Sequence, residues 1–92
     1  MPRFLIEVPH DSEQLACARV VKTFLSTGSH FLTHADWGCR DGEHKAWFIA
    51  GVEDRDEARS IVPPPFRHQA KITRLNSFSV EEIDEILYEH QP

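Results

Sequence analysis

Apolar and polar residues alternate along Arg3-Phe4-Leu5-Ile6-Glu7-Val8, which predicts a strand with Phe4, Ile6 and Val8 on one face. Pro9 ends it. Asp11 and Gln14 have the spacing of a helix-opening capping box. The period then changes from two to between three and four. Leu15, Ala18, Val21, Phe24 and Leu25 form an apolar stripe on a helix running to about Ser26, with Cys17 at its edge and Gly28 as its cap. Ser29–Arg40 and Glu43–Glu53 read as two further strands. Between them stands Asp41-Gly42, the strongest short hairpin signal. That turn sets a register in which Asp36 faces Trp47 and Trp37 faces Ala46. It puts Phe31, Thr33, Ala35 and Trp37 on an apolar face, and His30, Leu32, His34 and Asp36 on a mixed one.

Asp54 and Glu57 open a short helix, Arg55–Val62, which stops at Pro63-Pro64-Pro65. Residues 66–69 connect it to a fourth strand, Ala70–Asn76. Ser79 and Glu82 then cap a last helix whose stripe is Val80, Ile83, Ile86 and Leu87. The order is β-α-β-β-α-β followed by a helix. This is an α+β, ferredoxin-like arrangement: a four-stranded antiparallel sheet with helices on one face and an extra C-terminal helix.

With 92 residues the chain makes one domain, residues 1–92. A chain this short hides only about 60–65% of its unfolded surface, so a partner helps to finish the core. Net charge is −5, and its distribution matters more than its size. Five acids and no Lys or Arg lie from Ser79 onward, while the rest is balanced at ten acids and ten bases. No basic stripe is present, so neither nucleic acid nor an anionic membrane surface is an expected partner. No stretch approaches the ~20 apolar residues of a membrane span. The opening residues lack the apolar core of a secretory leader. Two cysteines make no disulfide framework and read as reduced thiols in a cytoplasmic protein.

The segment Gly42–Leu75, GEHKAWFIAGVEDRDEARSIVPPPFRHQAKITRL, resembles the C-terminal half of muconolactone isomerase-like and related small dimeric α+β barrel proteins. The shared features are a hairpin strand, an acidic turn, a short helix ending in a PPF-type connector, and a final strand. The resemblance covers about a third of the chain. It implies a homodimer in which two open sheet faces close a barrel, with a pocket for a small organic ligand. It carries no catalytic residue across, and the run His34-Ala35-Asp36-Trp37-Gly38-Cys39 departs from the family.

The residues themselves place candidate chemistry on the mixed sheet face. His34 is a base for proton transfer near neutral pH, Asp36 its orienting partner, and Glu7 a second acid/base. Trp47 supplies an apolar wall, with His30 and Arg74 as further substrate contacts. The competing reading is a dimer interface in which these groups satisfy one another. In a strand, His30 and His34 stand ~13 Å apart, too far for one metal ion. Cys39 and His44 face each other near the turn, but a structural zinc site needs a second ligand pair, and the spacing shows none. No dinucleotide fingerprint, P-loop or nucleophile elbow is present, so no cofactor is expected. The expected function is binding of a small organic ligand, with cofactor-free isomerase or lyase chemistry if the protein is an enzyme. The alternatives are a non-catalytic sensor, or an interaction module that uses the sheet face only to dimerise.

Overall fold

A computed structural model describes residues 1–90. Its centre is β1 (Arg3–Pro9), flanked by β3 (Lys45–Gly51) and β4 (Lys71–Leu75). A two-residue strand, β2 (Asp36–Trp37), pairs with the other edge of β3. The order across the sheet is β2-β3-β1-β4, and every neighbouring pair is antiparallel. Alternation decides the faces as expected. Phe4, Ile6 and Val8 of β1, Ala46, Phe48 and Ala50 of β3, and Ile72 of β4 are buried. Three helices close over that face: α1 (Gln14–Ser26) through Val20 and Phe24, α2 (His30–Thr33) through Leu32, and α3 (Arg55–Ile61) through Ala58. The chain is thus α+β, with an antiparallel sheet open on its other face. No helix among the described residues is long and apolar enough to cross a membrane.

Two details of α1 differ from expectation. Its cap is Glu13, whose carboxylate accepts from the Leu15 and Ala16 amides, while Asp11 accepts from the Glu13 amide. Its buried line is Val20 and Phe24, with Cys17 half-buried one turn earlier; Leu15 and Leu25 are exposed. The helix is therefore rotated from the phase its longest apolar run suggests. Gly28 takes φ +75° just past the helix end, a conformation glycine adopts without a steric penalty.

The expected strand over Ser29–Arg40 does not form. Ser29 caps α2, and the Thr33 hydroxyl donates to the Ser29 carbonyl at 2.9 Å. Such local bonds give this backbone an alternative to a sheet ladder. Only Asp36 and Trp37 join the sheet, and they do so in the expected register, opposite Trp47 and Ala46. The connection to β3 is not a two-residue hairpin. A 3-10 turn, Cys39–Asp41, follows Gly38 and closes on Gly42 at φ +84°. Gly38 is required by close approach. A Cβ there would lie 2.6 Å from the Trp47 ring and 2.7 Å from the Glu43 carbonyl oxygen.

After α3, the proline-rich connector forms a second 3-10 turn, Pro64–Gln69. Two arginines tie it to the end of α3 through backbone carbonyls. Arg59 donates to Arg67 and Ala70, and Arg67 donates to Val62 and Ser60. The last helix, α4 (Val80–Glu89), has the expected Ser79/Glu82 capping box. Its stripe is not buried by any other described residue: Val80, Ile83, Ile86 and Leu87 are all exposed. The molecule is accordingly long, 57 × 29 × 21 Å, with a radius of gyration of 16.9 Å. A compact chain of this length would have ~12 Å.

Candidate functional site

Helix α2 brings together residues that a strand would have spread out. The His30 and His34 rings lie 4.5 Å apart, centre to centre, which replaces the separation expected of a strand. With Asp36 from β2 and Trp47 from β3 they line an open cleft of ≈370 Å³ beside the uncovered sheet face. Leu5, Phe31, Phe48 and Ile49 complete it. Four of the six expected site residues therefore meet. Glu7 is adjacent: its carboxylate accepts a hydrogen bond from the Trp47 indole at 3.2 Å, which fixes the ring that walls the cleft. Arg74 sits on β4 opposite Phe4, at the far edge of the sheet from β2, and is not among the cleft residues.

The polar groups of the cleft are arranged differently from the expectation. His34 Nδ1 lies 2.8 Å from the His30 carbonyl oxygen and 3.2 Å from the Thr33 hydroxyl. Among the described residues, no hydrogen bond joins His34 to Asp36 or to Glu7. The carbonyl holds the Nδ1 proton and leaves Nε2 as the acceptor of a neutral ring. Backbone thus does for His34 what was expected of Asp36. His30, His34 and Asp36 are all exposed, so the cleft is open to solvent.

A second constellation lies at one end of the sheet. His10 follows β1, Cys17 sits in the first turn of α1, Cys39 opens the turn after β2, and His44 precedes β3. The His10 amide donates to the His44 carbonyl at 3.0 Å, which fastens two of these segments together. The Cys17 and Cys39 sulfurs are 3.2 Å apart, and neither is in a disulfide. His10 Nε2 lies 3.3 Å from Cys17 Sγ and 3.2 Å from Cys39 Sγ. The His44 ring stands edge-on to His10 at 5.8 Å. One donor atom from each of the four residues lies within 4.8 Å of all the others.

All four residues are half-buried. Burial lowers the His10 pKa, and the nearby His44 lowers it further; the Val8 carbonyl and Asp11 pull the other way. Burial, then the Cys17 thiol beside it, pushes the Cys39 thiol up. His10 Nδ1 and His44 Nδ1 are buried without a hydrogen-bond partner, and no other buried side-chain nitrogen or oxygen among the described residues is so left. Each such group costs about 1–3 kcal/mol. Trp37 links the cluster to the core, with its ring edge-on to His10 at 5.7 Å and to Phe24 at 5.0 Å.

The pair Cys39 and His44, read from the sequence as lacking a second ligand pair, has two further donor side chains beside it, those of His10 and Cys17. Sequence reasoning missed it because those two donors come from a strand end and a helix start, with no short spacing between them and the other pair. The available signal was phase. A helix that buries Val20 and Phe24 also turns Cys17 inward, toward the turn that holds Cys39.

Compared with family models, with curated proteins and with solved structures, the chain finds no match.

Proposed function

We propose that this protein binds a small organic ligand in the His30–His34–Asp36–Trp47 cleft and acts as a homodimer that covers the open sheet face. The cleft carries this reading: two imidazoles and a carboxylate meet an indole pinned by Glu7. A ligand with a flat apolar part and a polar or ionisable end fits such a lining. If the site is catalytic, the reaction is cofactor-free proton transfer of the isomerase or lyase kind. His34 Nε2 then accepts the proton, and the His30 carbonyl holds the ring in the required tautomer. Asp36 and Glu7 serve as the neighbouring acid and base.

The strand order and all-antiparallel pairing support a ferredoxin-like assignment, and with it the resemblance to dimeric α+β barrels. The reduced, unbridged thiols suit a cytoplasmic setting. The exposed stripe on α4 supports the dimer, and it also favours a second reading. That helix carries five acids and no base, while Arg3, Lys45 and Lys71 lie on the open side of the sheet beside Leu5, Ile49 and Leu75. Reciprocal docking of α4 on the partner's sheet would make the chain an interaction module with no ligand.

Two measurements test this. Sedimentation of the full chain should give twice the chain mass. A small-molecule screen followed by thermal unfolding should yield ligands that stabilise the wild type but neither His34→Ala nor Trp47→Ala, with both variants still dimeric. A monomer defeats the dimer. A dimer that no ligand stabilises leaves the interaction reading in place of the ligand reading.

A further inference from the structure

The geometry points to a zinc centre: His10, Cys17, Cys39 and His44 together hold one Zn(II) ion per chain. Four observations carry it, none of them shared with the cleft. Two sulfurs and two imidazoles are the donor set of a closed, four-coordinate structural zinc site. One atom from each lies within 4.8 Å of the rest, so a single ion reaches all four with only small adjustment. His10 Nε2 already touches both sulfurs, which identifies it as the donor atom of that ring. The His44 Nδ1 atom is buried in the cluster with nothing to bond.

Charge closes the argument. Zn(II) displaces the Sγ protons of Cys17 and Cys39, and both protons leave to solvent. Two thiolates and two neutral imidazoles then surround a doubly charged cation, so the centre is neutral overall. A neutral complex suits a half-buried site, where an isolated charge is expensive. A groove of ≈640 Å³ between α1 and the β2 turn, with Cys17 and Cys39 on its wall, gives the ion a way in. All four positions are filled by protein atoms, which assigns the ion a structural task. It ties the end of β1, the start of α1, the turn after β2 and the start of β3 into one corner.

The test is a titration of the reduced, full-length protein with Co(II) alone, followed by displacement with Zn(II) alone. The expected result is one equivalent bound, with the strong visible bands of four-coordinate cobalt and a near-ultraviolet thiolate-to-cobalt band. Zn(II) then erases both. Cys39→Ser and His44→Ala should weaken binding by more than about 100-fold, beyond the roughly 10- to 100-fold that an outer-shell partner contributes. His44→Cys keeps a donor at that position, so it should retain one ion and gain thiolate intensity. Circular dichroism of each metal-free protein reports whether it is folded. Three results overturn the proposal: folded, reduced wild type that gives no cobalt bands; a weak six-coordinate spectrum; or bands of unchanged affinity in both Cys39→Ser and His44→Ala. The wild-type and His44→Cys titrations decide the matter even if the other two variants do not fold.

Discussion

The two histidine-bearing regions are built in opposite ways. The cleft draws His30, His34 and Asp36 from seven consecutive residues, held by bonds inside one helical turn and by a two-residue strand. The cluster draws His10, Cys17, Cys39 and His44 from four separate segments of the chain. The cleft is exposed and the cluster half-buried. A locally built site can be altered with little effect on the rest of the fold. A site assembled from distant segments exists only when the fold does, and anything that binds it stabilises the whole chain.

Removal of the metal is the most severe way to break this contrast. Treating metal-loaded protein with a strong chelator should cost at least ~3 kcal/mol, which for a chain of this size lowers Tm by ~12 °C or more. Calorimetry with and without chelator measures it, and an unchanged Tm would make the cluster as dispensable as the cleft. Gly38→Ala comes next, because Gly38 stands where the regions touch. The added methyl meets the Trp47 ring and a backbone carbonyl, and only the ring can give way. A loss of about 2 kcal/mol is expected in urea unfolding. A neutral result would mean that the turn shifts freely.

Ser29→Ala removes the cap of α2 and should cost ~1 kcal/mol. Faster amide exchange should be confined to residues 30–35, and exchange spreading to β1 would contradict the local character of the cleft. His34→Ala should change stability least, by less than ~0.5 kcal/mol, since the ring is exposed. Unfolding of the ligand-free variant checks this, and a larger loss would show that the ring bears structural load.

The same contrast explains what could be read from sequence. Strands β1, β3 and β4 and helices α1, α3 and α4 were legible because their periods and caps are local signals. The pairing of Asp36 with Trp47 was legible too, although the turn expected to set it does not form as a tight hairpin. The segment 29–40 misled because Phe31, Thr33, Ala35 and Trp37 alternate like a strand, while Ser29 and Thr33 bond locally and close a helical turn instead. His30, His34, Asp36 and Trp47 still converge, since the cleft needs only that α2 sit next to β2. His10 and Cys17 were missed because their meeting with Cys39 and His44 depends on the rotation of α1 about its axis. That rotation is set by which residues the core accepts, Val20 and Phe24, rather than by the longest apolar run in the helix.

The chain has two tryptophans, and the fold gives one to each region. Trp37 packs against His10 at the thiol cluster; Trp47 lies against Gly38 and bonds to Glu7 at the cleft. The protein therefore carries its own pair of optical reporters. With Trp47 replaced by Phe, the remaining emission follows the sulfur-rich corner; with Trp37 replaced by Phe, it follows the ligand face. Events at the two neighbouring sites can be followed separately, without attaching a dye.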